Sequence, residues 1–181
     1  MTKQKDKPAM RLRTTGRAEK AVQAAYGLAR AEGESLAGSR HLLLALVQMP
    51  GDFSTLLLEH LGVSPADVLR ELARRDEDIT GTDAPPEPNL DPTEQAWAHN
   101  RAGLLDPARE AAQRLGDPRV STEHLLLGLL REEASAGRAL RRLGVTWERA
   151  EAALPALPRG EGLAPEVPPP PILTPPVPVG V

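Results

Sequence analysis

His124-Leu-Leu-Leu-Gly-Leu129 repeats, with one substitution, a stretch found 83 residues earlier, His41-Leu-Leu-Leu-Ala-Leu46. Each copy lies eight residues after a glycine, Gly33 or Gly116. Each also precedes a Leu-Gly-Val by about twenty residues, at Leu61-Gly62-Val63 and Leu143-Gly144-Val145. Three landmarks in the same order mark an internal duplication, so the fold question concerns one unit of roughly 60 residues used twice.

Each unit reads as four helices. In the first, Ala18, Ala21, Val22, Ala25, Leu28 and Ala29 recur at steps of three and four, the mark of an amphipathic helix with a narrow small-residue face. Gly33 suits its stop. The segment from Ser39 to Gln48 is apolar nearly all round, and so short a helix of that kind must be buried centrally. Pro50-Gly51 breaks it. A third helix runs through Leu56, Leu57, Leu58 and Leu61 to Gly62. A fourth starts at Ser64-Pro65, an N-cap followed by proline at the first helical position, with Val68, Leu69 and Leu72 expected on its inner face. The second unit copies this from Ala108 onward. Thr122 is expected to cap its buried helix, Leu140 and Leu143 to line its third, and Ala150 and Leu154 its fourth. Its first helix is less regular: Asp91-Pro92 and Asp106-Pro107 both look like starts, and Pro107 predicts a break or kink. No alternating run of strand length occurs. The class is therefore all-α, two pseudo-symmetric four-helix repeats over 15–75 and 93–154 that share one core, since one unit alone is marginal at this size.

The formal charge of −3 is strongly segmented. Residues 1–14 hold five basic groups and one acid and read as a disordered basic arm. The linker 76–92 holds six acids, no base and four prolines, while each repeat is neutral. A neutral body lacks the concentrated basic face that nucleic acid requires. Four aromatics, Tyr26, Phe53, Trp97 and Trp147, are too few for a single-strand stacking platform. With no cysteine, disulfides, thiolate metal sites and cysteine nucleophiles are all absent, which fits a reducing cytoplasm. The first twenty residues have no signal-peptide core, and no apolar run is long enough to span a membrane. The tail 155–181 carries ten prolines, including Pro168-Pro-Pro-Pro171, and is expected to be disordered or polyproline II.

Val120-Ser-Thr-Glu-His-Leu-Leu-Leu-Gly-Leu-Leu-Arg131 closely resembles the repeat motif of the Clp N-terminal domain, the substrate- and adaptor-binding module of Clp-type unfoldases, particularly the ClpC/ClpA branch. Thr15-Gly-Arg-Ala18, Leu115-Gly116 and both Leu-Gly-Val segments match the same pattern, and Gly38-Ser-Arg-His-Leu-Leu-Leu-Ala-Leu46 is a weaker first copy in the right register. The resemblance covers about 15–154 and implies eight helices. Clp unfoldases continue into ATPase modules, yet no Gly-x-x-x-x-Gly-Lys-Ser/Thr loop occurs here. The expectation is a stand-alone Clp N domain without enzymatic activity: a monomeric binding module for a Clp ATPase, a Clp peptidase, or their adaptors or substrates. A helical scaffold for a non-Clp protein is the alternative.

The resemblance also implies a site. In some ClpC-type domains the Glu of Thr-Glu-His and the Thr of Thr-x-Arg-Ala help hold a phosphorylated arginine, one site per repeat. A carboxylate suits the guanidinium, and a helix N-terminus receives phosphate. By position, Thr15 is kept in the first repeat but Arg40 replaces the acid. In the second, Thr122 and Glu123 are kept but Ala98 stands where threonine is expected. Thr15, Arg40, Thr122 and Glu123 are thus the candidate contact residues. His41 and His124 hold equivalent helix-start positions and are expected to pack or cap, since metal binding would need further ligands; His60 and His99 read as helix-surface residues. No cofactor, metal or catalytic residue is expected.

Overall fold

The computed structural model describes residues 12–74 and 93–157. The arm before residue 12, the acidic linker and the tail after residue 157 lie outside the described residues. Among the described residues eight α-helices follow in the expected order: α1 (Gly16–Ala31), α2 (Ser39–Val47), α3 (Phe53–His60), α4 (Pro65–Ala73), α5 (Glu94–Leu115), α6 (Thr122–Arg131), α7 (Ser135–Arg142) and α8 (Trp147–Ala153). A short 3-10 turn over Leu154–Ala156 ends the second repeat.

α2 and α6 are the buried helices. Every side chain from His41 to Val47 is buried, as is every one from His124 to Leu130. Their neighbours lie on all sides, which an all-round apolar helix demands. α1 packs on α2, and α5 on α6. The third helices cross over: α3 of the first repeat contacts α6 and α8, and α7 of the second contacts α2 and α4. The repeats therefore interlock around one core and do not stand as two adjoining bundles. Gly62 and Gly144 end α3 and α7 with φ of +81° and +77°, a left-handed step that a β-carbon disfavours.

Three features depart from the expected outline. α5 runs unbroken from Glu94 to Leu115 with Pro107 inside it. Proline in a helix interior costs about 3 kcal/mol. Here Leu104, Leu105, Ala108, Ala111 and Ala112 are all buried on the same helix, and their packing outweighs the lost hydrogen bond. The start of the fold also reaches earlier than Thr15. Leu12 is buried, and Arg13–Thr14 (β1) pairs in parallel with Arg119–Val120 (β2), Thr14 opposite Val120. Leu69, expected inside, is 42% exposed. The inner face of α4 is instead Val68, Glu71 and Leu72, the three- and four-residue spacing of one helix stripe. The buried Glu71 carboxylate is met by Arg74 at 3.2 Å and, from the other repeat, by Arg142 at 3.4 Å.

Candidate functional site

The two buried helices start in the same way. The Nδ1 of His41 accepts from the Gly38 amide and that of His124 from the Ser121 amide, both at 3.0 Å. Each ring thus satisfies an N-cap amide, the capping role that the sequence suggested. The opposite nitrogen, Nε2, then carries the proton. It faces Glu32 at 3.2 Å for His41 and Asp117 at 2.9 Å for His124. The Ser121 cap leaves Thr122 as the first residue inside α6, one position later than expected. Its hydroxyl is free for a different bond, to the buried carboxylate of Asp52.

Asp52 connects three helix starts. It is the N-cap of α3, its Oδ1 accepting from the Phe53 amide at 2.6 Å and from the Thr122 hydroxyl. Its Oδ2 has no hydrogen bond, and the Arg17 guanidinium stands 3.6 Å away. That is close enough for charge attraction and too long for a hydrogen bond. Arg17 belongs to the first turn of α1, capped by Thr15, whose Oγ1 accepts from Ala18 at 3.2 Å. The Thr15 amide in turn donates to the Val120 carbonyl at 2.8 Å.

These bonds decide which candidate residues meet. The starts of α1 and α6 form one corner, holding Thr15 and Arg17 from the first repeat with Thr122 and Glu123 from the second. The kept halves of the two motifs, one per repeat, each follow one strand of the parallel β1–β2 pair. Glu123 stands in the first turn of α6, largely covered, 4.0 Å from His124. Arg40 is elsewhere, at the start of α2, where it donates to Glu32 at 2.6 Å. Asn100 of α5 donates to the Ala37 carbonyl at 3.0 Å, which places α5 beside the start of α2 and marks the pseudo-symmetric second corner. That corner is changed on both sides. Arg40 brings a positive charge to it. Ala98 lies inside α5, because Thr93 caps the helix a turn earlier by accepting from Ala96 at 3.2 Å. α5 therefore offers no N-terminus there, and the start of α2 stands alone.

Electrostatics bind the two repeats on the same side. Glu19 accepts from Arg101 of α5 at 2.6 Å and from Thr14 at 3.3 Å. The Arg101 bond, with its charge, holds the Glu19 carboxyl below the ordinary range against the opposing effect of burial. Glu132, at the end of α6, moves upward because burial disfavours its charge.

Glu32, Glu34 and His41 bring three potential ligand atoms within 4.8 Å of one another. The bonds already described argue against a metal. A metal on Nε2 of neutral His41 would require the proton on Nδ1, where the Gly38 amide already points its own proton. Arg40 also occupies Glu32. Among the described residues no helix is long and apolar enough to cross a membrane.

Sequence and structure comparisons agree on the relatives. The family model for the Clp repeat (R) N-terminal domain matches residues 13–143 and 93–161. The chain is 31% identical over 139 residues to the chaperone protein ClpB of Oceanobacillus iheyensis, and likewise 31% over 139 residues to the negative regulator of genetic competence ClpC/MecB of Bacillus subtilis. Each match covers 76% of this chain and 16% of the relative, so the chain spans about a sixth of their length. The crystal structure of the N-terminal domain of the caseinolytic protease associated chaperone ClpD from Arabidopsis thaliana matches with a TM-score of 0.55 at 24% identity, covering 80% of this chain and 94% of that one. The Hsp104 N-terminal domain of Candida albicans matches with a TM-score of 0.53 at 23% identity, over 77% of this chain and 87% of that one. These solved structures share the helical fold.

Proposed function

The chain belongs to the Clp repeat N-terminal domain family, and on that premise we propose that it is a non-enzymatic, cytoplasmic and monomeric binding module of the Clp system. It would receive substrates or adaptors, as an accessory or regulatory partner of a Clp ATPase or peptidase. Nucleic acid and membranes are not its partners on this reading. The observation that carries it is the corner built by the Thr15–Val120 hydrogen bond. That bond brings the α1 start, with Thr15 and Arg17, to the α6 start, with Thr122 and Glu123. A helix N-terminus beside a carboxylate suits a ligand group that carries an anion next to a guanidinium, and phosphoarginine is such a group. With Arg40 and Ala98 in the second corner, one site per chain is expected.

Calorimetric titration of the full chain with a phosphoarginine peptide tests the site. One peptide per chain should bind, and Glu123→Ala should weaken it by about tenfold or more, the value of a charge-assisted hydrogen bond of roughly 1.5–3 kcal/mol. No binding at millimolar peptide would end this reading of the corner. Affinity purification from the source cell tests the partner. Recovery of a Clp ATPase, peptidase or adaptor supports the module. One dominant partner outside that system would favour the alternative of a helical scaffold reused for a different protein, which the altered second corner already leans toward.

A further inference from the structure

Three of the four aromatic residues are engaged with their surroundings. Phe53 and Tyr26 pack on the core. Trp147 lies beneath the guanidinium groups of Arg114 and Arg131, 5.1 and 5.7 Å from its ring centre, and its indole N–H donates to Glu151 at 2.7 Å. Trp97 differs. It is half-buried on α5 and leans on Tyr26 of α1, with ring centres 4.6 Å apart and planes inclined by 44°. Among the described residues none accepts a hydrogen bond from its indole N–H. Tyr26 is held firmly beneath it. Its hydroxyl donates to Asn100 at 2.8 Å, and Asn100 donates to Ala37 at 3.0 Å. The result is a braced aromatic ridge whose indole N–H no described residue accepts from.

A polyproline II segment is the ligand that such a ridge suits. Its carbonyls have no internal donors, and its proline rings lie flat on aromatic faces. This chain carries that segment itself. Pro165, Pro168 and Pro171 form two overlapping Pro-x-x-Pro spacings, and Pro175 with Pro178 a third. The 24 residues from 158 to 181 span about 74 Å at roughly 3.1 Å each in that conformation. A domain of this size is about 36 Å across. Pro175 lies 18 residues beyond Leu157, about 56 Å along the chain at roughly 3.1 Å each, so the Pro175–Pro178 end of the tail can reach any face of its own domain. Tethering gives it an effective concentration on the order of millimolar, enough to fill a weak site.

We propose that the Tyr26–Trp97 ridge is the docking site for this chain's own tail, residues 165–178, bound as polyproline II with the Trp97 indole donating to a tail carbonyl. Trp97 directly precedes Ala98. Tyr26 bonds Asn100 and Asn100 bonds Ala37 just before α2, so the docked tail lies beside the second corner, the one that Arg40 and Ala98 have remade.

Fluorine NMR of the full chain labelled with 5-fluorotryptophan tests this. Two resonances are expected, assigned by Trp97→Phe. In the full chain carrying Pro168→Ser, Pro171→Ser, Pro175→Ser and Pro178→Ser, the Trp97 resonance should shift and its H2O/D2O isotope effect should grow, with Trp147 unmoved. These substitutions lie outside the described residues, and an unchanged far-ultraviolet circular dichroism spectrum confirms that the helical body is retained. If the Trp97 resonance is the same in both proteins, the proposal is overturned. If the difference disappears on dilution of the unsubstituted chain, a second copy supplies the tail, and docking within one chain is overturned as well.

Discussion

Gly128→Ala is the substitution that most sharply tests the packing. Gly128 lies mid-way along α6 where α5 crosses, and its partner in the first repeat is Ala45. A β-carbon at Gly128 would stand 2.8 Å from the Ala108 nitrogen, 2.9 Å from the Pro107 carbonyl carbon and 3.1 Å from the Pro107 β-carbon. Comfortable contact between such atoms begins near 3.5 Å, so the gap must widen by about 0.7 Å. Two of the three neighbours are backbone, and the third is a rigid ring, so no rotamer change relieves the clash. Overpacking of this kind costs about 1–3 kcal/mol. Alanine recovers up to ~1 kcal/mol of helix propensity. With backbone as the obstacle, the upper part of the range applies, and the net loss is about 1–2 kcal/mol. Gly27 supplies the control. It is exposed in the middle of α1, and a β-carbon there meets nothing within 4 Å. Gly27→Ala should therefore gain about 0.5–1 kcal/mol. Urea unfolding followed by circular dichroism reads both as midpoint shifts of opposite sign at constant slope. A Gly128→Ala protein as stable as the parent would refute the close α5–α6 crossing, and with it the packing reason for an unbroken helix through Pro107.

Substitutions at two further positions probe the links between helix starts and the buried charge. Asp52→Ala removes the α3 cap, about 0.5–2 kcal/mol, and strands the buried Thr122 hydroxyl, about 1–3 kcal/mol; Asp52→Asn keeps both bonds and should lose clearly less in the same unfolding assay, whereas equal losses would mean that Thr122 gains nothing from Asp52. Glu132 has its folded pKa raised by burial, so its ionisation opposes folding once pH passes the unfolded value. Glu132→Gln should therefore stabilise the protein at pH 7, and the gain should vanish in acid below both values, where the native carboxyl is protonated too; a gain that stays constant with pH would assign the effect to something other than charge.

The helices and their order were legible because each local signal had a local cause. His41 to Val47 is apolar all round, so it had to be central, and it is. Glycines at Gly62 and Gly144 stop helices by backbone freedom alone. The Ser64-Pro65 start reads directly as a cap, and the structure places both residues in those roles. Local signals failed where a distant partner decided the outcome. Pro107 reads as a break, yet α6 packing carries the helix through it. Leu69 reads as core, yet the arginines from α4 and α7 let Glu71 take the inward position. Thr122 reads as a cap, yet its hydroxyl goes to Asp52, 70 residues away in sequence.

For the candidate site the division is the same. The sequence alone determined that the chain is a duplicated four-helix unit, and that Thr15, Arg40, Thr122 and Glu123 stand at the motif positions, Thr15 kept in the first repeat, Thr122 and Glu123 in the second, and Arg40 in place of the acid. For the helices, composition and periodicity sufficed, since burial of an apolar stripe needs no knowledge of its partner; the four motif positions are what the resemblance to the Clp N-terminal domain implies. Only the tertiary structure decided how the halves combine. The third helices cross between repeats, and the β1–β2 pairing sets Thr15 beside Val120. The surviving threonine and the surviving carboxylate consequently share one corner, and the substituted residues Arg40 and Ala98 fall to the other. Contacts between segments about 100 residues apart depend on how two equivalent units dock, and neither unit's own sequence pattern encodes that choice.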